Sequence, residues 1–242
     1  MIKVSDLPCL ILCGGQGTRL REVVPNKPKA LAEVNGRPFI VNLFEQLSNF
    51  GIVKVVLCTG FKGDQIKEAI GDGYDNLVID YSFEEATLGT AGAIKAAIDR
   101  VFGETLLVIN GDSYVGYDLG RFLSQHQTTR SNFSMVLAQI SDAQRYGVVG
   151  MDKHKRVTRF LEKSGHVSNA PSLINAGTYL ISRECIESFS GERPLSLEMN
   201  VIPSFVGDGL HGFVAEGGFI DIGTPGSFAE AGAFFDALGG IG

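Results

Sequence analysis

Short apolar runs alternate with amphipathic stretches through the first half of the chain. Residues 10–13, 53–58, 77–81 and 106–109 are rich in Val, Leu and Ile and bounded by Gly, Asn or Asp. That is the pattern of strands buried on both faces. Between them, 39–50, 65–70 and 91–101 carry apolar residues at helical spacing. The alternation predicts an α/β fold: a Rossmann-like mixed, mostly parallel central sheet flanked by helices. After about residue 130 the pattern changes. Residues 133–139, 146–150, 157–162 and 173–181 read as strands with few helices between them, a smaller β-rich part. One more strand is expected at 219–222 and a closing helix at 227–237, whose Phe228, Ala231, Phe234 and Phe235 read as core. No linker, charge block or repeat interrupts the chain, so 1–242 is expected to form one unit, with parts at about 1–130, about 131–218 and 219–242.

Charge narrows the choice of partner. Lys and Arg number 21 against 27 Asp and Glu, a formal charge of -6, which argues against nucleic acid or an anionic membrane as partner. No apolar run approaches the ~20 residues of a membrane span, and the first residues do not read as a signal peptide. A cytoplasmic protein is expected. Cys9, Cys13, Cys58 and Cys185 form no C-x-x-C pair and read as buried, inert thiols. His126, His154, His166 and His211 lack partners at metal-ligand spacing and read as solvated.

Three segments carry candidate chemistry. Gly14-Gly15-Gln16-Gly17-Thr18-Arg19-Leu20 follows the first strand, and its glycines let backbone N–H groups approach a phosphate. It is neither a Walker loop nor a complete dinucleotide fingerprint, because Leu20 stands where a third glycine would be needed. A tight strand–helix connection is the plain alternative. Beside it, Arg19, Arg21, Lys27, Lys29 and Arg37 outweigh Glu22 and Glu33, a cationic stretch in an acidic protein that suits a polyphosphate. Pro25 and Pro28 hold Lys27 and Lys29 extended. The second segment, Leu106 to Asp112, ends a strand in Asn110-Gly111-Asp112 and puts a carboxylate where open sheets bind ligands. In the third, Asp221 is flanked by Ile220 and Ile222, a costly place for a charge unless it is paired or on a metal. Asp112 and Asp221 together suit Mg²⁺; an ion pair of Asp221 with Lys29 is the alternative.

With these pieces in order, the chain resembles the sugar-1-phosphate nucleotidyltransferases along nearly its whole length. Further matching pieces are Leu88-Gly89-Thr90-Ala91-Gly92, Tyr146-Gly147-Val148-Val149, Glu162-Lys163 and Asn175-Ala176-Gly177-Thr178-Tyr179. Within the family it most resembles the D-glycero-α-D-manno-heptose 1-phosphate guanylyltransferase branch, through Arg145-Tyr146-Gly147, Leu197-Glu198 and the segment from Phe219 to Pro225. The resemblance implies a nucleotide-binding first part, a sugar-binding second part, GTP and a sugar 1-phosphate as substrates, and Mg²⁺ as cofactor; it leaves a homodimer open. It implies that Arg19 grips the triphosphate, that Lys29 draws the two phosphates together, and that Asp112 and Asp221 hold the metal. Leu12, Gly14, Gly15, Gly17, Thr18, Glu84, Gly89, Thr90 and Gly111 are implied nucleotide contacts. Gly147, Glu162, Lys163, Asn175, Gly177 and Glu198 are implied sugar-phosphate contacts. A carboxylate at Glu84 accepts only, which suits the donors N1–H and N2–H₂ of guanine. Mannose 1-phosphate, a UTP or dTTP donor, and a binding protein without turnover are the alternatives. A nicotinamide oxidoreductase is disfavoured, because Cys58-Thr59-Gly60 stands where the ribose-binding acid belongs.

Overall fold

The computed structural model describes residues 2–162 and 171–239. In chain order its elements are β1 (Cys9–Leu12), β2 (Glu33–Val34), β3 (Arg37–Pro38), α1 (Phe39–Phe50), β4 (Lys54–Thr59), α2 (Gly63–Ile70), β5 (Gly73–Tyr74) and β6 (Leu77–Phe83). Then come α3 (Thr90–Ala97), β7 (Thr105–Asn110), β8 (Ser113–Val115), α4 (Leu119–Thr128), β9 (Phe133–Ile140), β10 (Val148–Met151) and β11 (Val157–Leu161). The chain closes with β12 (Ser172–Ser182), α5 (Arg183–Ser188), a π-helical turn at Leu197–Val201, α6 (Ile202–Phe205), β13 (Leu210–Val214), β14 (Phe219–Asp221) and α7 (Pro225–Ala237).

The four strands expected in the first half are the parallel centre of a ten-stranded mixed sheet, in the order β7-β1-β4-β6. β5 adds antiparallel at one edge. On the other side β12 joins β7 antiparallel and carries β9 and β10, with β13 parallel to β9 and β11 antiparallel to β10. Successive residues of the central strands point to opposite faces, and both faces are covered. Cys9, Ile11, Val55, Leu57 and Leu107 pack with α1, α4 and α7, whereas Leu10, Val56, Cys58, Leu106 and Val108 pack with α3 and α5. Helix α1 buries Phe39, Ile40, Leu43, Phe44 and Leu47, and stops at Gly51, whose φ of 85° caps it in the left-handed conformation.

Several expectations shift. The 91–101 helix ends at Ala97 and tightens into a 3₁₀ turn at Ile98–Arg100. The strand expected from residue 146 begins at Val148, because Tyr146 turns towards Asp221. The 219–222 strand pairs only with β8, outside the main sheet. The second half holds more helix than expected, in α5, the π-helical turn and α6. The solvated reading fails for His126 and His211, which are buried. His126 falls on the inward stripe of α4 with Leu119, Phe122 and Leu123, and its Nδ1 lies 2.8 Å from Ser134 Oγ. His211 sits inside β13, with Nδ1 3.1 Å from Ser131 Oγ. His154 is exposed, and His166 lies outside the described residues. All four cysteines are free and buried; burial pushes the Cys58 and Cys185 thiols up to about 12, so both stay protonated. Ala231 and Phe235 are core, with Phe228 and Phe234 packed against it. No helix among the described residues is long and apolar enough to cross a membrane.

Candidate active site

The strand order reverses at β1, with β4 on one side and β7 on the other, and open α/β sheets bind ligands in the crevice such a reversal leaves. Cys13 N–H donates to the Cys58 carbonyl at 2.8 Å and Gly111 N–H to the Leu12 carbonyl at 2.9 Å, so the loops after β1, β4 and β7 leave from one edge. A Cβ on Gly14 would lie 2.7 Å from Glu84 Oε1, so the Glu84 carboxylate sits directly against the glycine loop and would have to shift for a larger residue. A Cβ on Gly15 would meet nothing within 4 Å, so no protein neighbour demands glycine there. A cavity of about 240 Å³ opens over these loops. Of the predicted nucleotide contacts, Leu12, Gly14, Gly15, Gly17, Glu84, Gly89, Thr90 and Gly111 line it; Thr18 does not.

A second cavity, of about 570 Å³, lies beside it on the β12 side. Gly147, Glu162, Asn175, Gly177 and Glu198 line it as expected, and Arg19 joins this wall and not the first. Lys163 lies outside the described residues. Both ends of the Asn175 amide are taken, Nδ2 by the Tyr179 hydroxyl at 2.8 Å and Oδ1 by Gly177 N–H at 3.1 Å. Glu198 Oε2 accepts from Thr90 Oγ1 at 2.9 Å and Ser196 Oγ at 3.0 Å, which ties the second cavity to the first. Asn110 and Asp112 line both cavities.

The short antiparallel ladder explains how two distant carboxylates meet. β8 follows Asp112 directly and pairs Ser113 with Asp221, while Ile222 N–H donates to the Asp112 carbonyl at 2.9 Å. Lys29 Nζ contacts Asp112 Oδ2 at 2.6 Å. The alternative that paired Lys29 with Asp221 is thereby replaced: Asp221, 9% exposed, takes Arg145 as its cation at 3.4 Å. Its Oδ2 also accepts the Tyr146 hydroxyl, and its Oδ1 accepts Gly223 N–H at 2.6 Å and Ser227 Oγ at 3.3 Å. Burial and the Asp221 hydrogen bond push the Tyr146 hydroxyl well above its ordinary range, so it stays a donor. Burial also raises the Glu84 carboxyl, partly offset by Leu88 N–H at 3.2 Å.

Arg145, Tyr146 and Asn110 are the site residues that the sequence reading left without a role. The first two stood inside the Arg145-Tyr146-Gly147 motif, but nothing in the spacing tied them to Asp221.

A strand-edge crevice, a glycine loop and two carboxylates that the β8–β14 ladder brings together make a site suited to a phosphate-bearing ligand. The chain belongs to the nucleotidyl transferase family, whose model matches residues 9–237. Among characterised relatives it is 34% identical to a D-glycero-alpha-D-manno-heptose 1-phosphate guanylyltransferase from Aneurinibacillus thermoaerophilus, over 93% of this chain and 96% of that one. It is also 34% identical to a mannose-1-phosphate guanylyltransferase from Mycobacterium tuberculosis, over 98% of this chain and 66% of the longer relative. Among solved structures it superposes on HddC from Yersinia pseudotuberculosis with a TM-score of 0.84, 33% identity, and coverage of 95% and 99% of the two chains. That protein has also been solved with GMP-PN, and this form matches with a TM-score of 0.83 at 32% identity over 95% of this chain and 99% of that one.

Proposed function

We propose that the protein transfers GMP from GTP to a sugar 1-phosphate, D-glycero-α-D-manno-heptose 1-phosphate before others, giving GDP-heptose and pyrophosphate. The observation that carries this is the meeting of two cavities at Asp112, which Lys29 pairs with from the first, in a chain that aligns over 93% of its length with a heptose 1-phosphate guanylyltransferase. In this reading GTP takes the first cavity, with Glu84 on the guanine edge and phosphates along the glycine loop; the open face of Gly15 supports that approach. The sugar phosphate takes the second cavity, against Gly147, Glu162 and Glu198. A phosphate oxygen of the sugar attacks the α-phosphorus, and the bond to the β-phosphate breaks as pyrophosphate leaves. No covalent enzyme intermediate is needed, so the protein contributes alignment and charge. Lys29 lowers the repulsion between the two phosphates, and Arg19 is assigned the phosphate tail, which it would meet from the wall of the second cavity.

The donor set fits a Mg²⁺ ion. Asp112 and Asp221 offer hard oxygens, and no group of three or more His, Cys, Asp or Glu able to hold a metal exists among the described residues. Two carboxylates suit an ion that keeps its waters and takes substrate oxygens. Bound there, the ion would neutralise phosphate charge. Asp112 has lone pairs to spare beside Lys29, whereas Asp221 Oδ2 opens only as Arg145 or Tyr146 lets go.

Mannose 1-phosphate is the second reading, favoured by the equal identity to the mannose-1-phosphate guanylyltransferase over nearly the whole chain. Pyrophosphate release with Mg²⁺, crossing GTP, ATP, UTP and dTTP with heptose, mannose and glucose 1-phosphates, tests both. Release confined to GTP with the heptose phosphate is expected. Silence across the grid from folded protein overturns the enzyme reading.

A further inference from the structure

Each of the two carboxylates at the junction holds a cation, and the two cations come from different cavities. Lys29 Nζ lies 2.6 Å from Asp112 Oδ2, and Lys29 lines the first cavity but not the second. Arg145 Nη2 lies 3.4 Å from Asp221 Oδ2, and Arg145 lines the second but not the first. The paired charges cancel. A divalent cation on these carboxylates therefore brings an excess of positive charge unless the lysine and the guanidinium pass to other anions. In the proposed reaction Lys29 passes to the phosphates, whereas that reaction alone gives Arg145 no second partner.

Arg145 is placed to make such a transfer. Its side chain is 41% exposed on the cavity wall, against 12% for Asp221. Nη1 donates to Thr224 Oγ1 at 2.9 Å and Nη2 to the Tyr146 hydroxyl at 2.8 Å, and the guanidinium lies 5.0 Å over the Tyr146 ring. The contact with Asp221, at 3.4 Å, is near the limit of a hydrogen bond. Thr224 and Tyr146 thus hold the head of the side chain, and the carboxylate is a partner it leaves readily. Asp221 keeps Gly223 N–H and Ser227 Oγ on its other oxygen when that happens.

The second cavity also calls for a cation. Asp112, Glu162, Glu198 and Asp221 stand on its wall, against Arg19 and Arg145 among the described residues. A phosphate entering beside those carboxylates needs charged donors, and the fork of a guanidinium matches its oxygens.

We propose that Arg145 binds the phosphate of the sugar 1-phosphate, leaving Asp221 free for the metal as it does so. The inference rests on the guanylyltransferase reading and its metal site, and adds a substrate contact to them. Arg145 then has two posts: it neutralises Asp221 in one and the incoming phosphate in the other.

The test reads binding apart from turnover. Mn²⁺ replaces Mg²⁺, and its binding to the protein without substrates is followed by electron paramagnetic resonance. Arg145→Gln removes the charge and keeps an amide donor. Mn²⁺ is expected to bind this variant about threefold or more tighter than wild type, because a competing cation has left Asp221. In pyrophosphate release the KM for the sugar 1-phosphate is expected to rise about tenfold or more, with the KM for GTP within about twofold of wild type. Arg145→Lys, charged but without the fork, should leave Mn²⁺ binding near wild type and raise the sugar phosphate KM part of the way. Arg145→Met reads the same quantities if the glutamine variant does not fold. Mn²⁺ binding that stays level or weakens in the uncharged variants overturns the proposal, and so does an unchanged KM for the sugar phosphate. A rise in the GTP KM instead puts the guanidinium on the nucleotide and overturns it too. Mn²⁺ binding that Asp221→Asn leaves unaltered overturns the metal site, and absence of pyrophosphate release from any natural pair overturns the guanylyltransferase reading; turnover and metal binding without the split overturn only the role of Arg145.

Discussion

Asp221 is the residue at which burial and charge conflict most openly, and four donors resolve the conflict. Gly223 N–H and Ser227 Oγ hold one oxygen, and Tyr146 and Arg145 the other. Removing the charge while keeping the shape separates its uses. Asp221→Asn keeps an acceptor for Gly223 but turns a donor towards Arg145 and Tyr146. Turnover is expected to fall about 100-fold or more, with the Mg²⁺ concentration for half-maximal rate raised. Pyrophosphate release across a Mg²⁺ titration measures this; an unchanged rate and midpoint would remove Asp221 from the metal. Glu84 is tested differently, because its proposed partner is the base. Glu84→Gln still accepts from Leu88 N–H, so the fold should hold, but the new amide sets a donor against guanine's donors. The GTP kcat/KM is expected to drop about tenfold to 100-fold while UTP and dTTP gain relative to it. An unchanged ratio between nucleotides would take Glu84 off the guanine edge.

At the scale of elements, legibility followed burial. The four central strands were visible because both their faces are covered, which leaves continuous apolar runs, and α1 because its stripe is unbroken and ends in Gly51. β13 escaped because glycine and histidine interrupt it, and β8 because three residues carry no period. The glycine loop, Asp112 and Asp221 could be read as candidates that meet, but the means of their meeting could not: it is the β8–β14 ladder, a pairing over a hundred residues apart in sequence. The weld between the two cavities was hidden for the same reason. Leu195 N–H donates to the Leu88 carbonyl at 2.7 Å, and Ala91 and Gly92 N–H groups both reach the Leu195 carbonyl, at 3.0 and 3.2 Å. Gly89, at a φ of 78°, would place a Cβ 2.4 Å from that carbonyl oxygen. Gly89→Ala must part the two loops, and is expected to cost about 2–4 kcal/mol in urea unfolding. Gly226→Ala, in α7 with nothing within 4 Å of the new methyl, should be neutral or stabilise by up to about 1 kcal/mol. Equal stabilities for the pair would show that the weld is slack.

For the molecule as a whole, the candidate site residues gather at one edge of the sheet, while two buried histidines lie in the α4, β9 and β13 layer. Burial lowers the His126 pKa from 6.5 to about 4, with His211 nearby adding to the shift, and burial lowers His211 as well. The unfolded chain therefore binds these protons more readily than the folded one. Stability is complete above the unfolded value of 6.5 and drains as pH falls from there towards about 4, by on the order of 3 kcal/mol for His126 alone. Glu33 and Asp152 act lower: they are held below their ordinary range by Lys27 and by the Arg156 backbone N–H respectively, so what they contribute is lost only as pH falls beneath about 4. Glu84, raised by burial, acts with the opposite sign and gains stability as pH falls. A decline from about pH 6.5 to about pH 5 is therefore the signature of the histidines. Urea midpoints should decline across it in wild type. In His126→Gln, which keeps a polar partner for Ser134 but cannot titrate, the decline should be visibly shallower. A wild-type midpoint that stays level between about pH 7.5 and about pH 5 would mean that the folded chain admits these protons as easily as the unfolded one, contrary to two imidazoles sealed between helix and sheet.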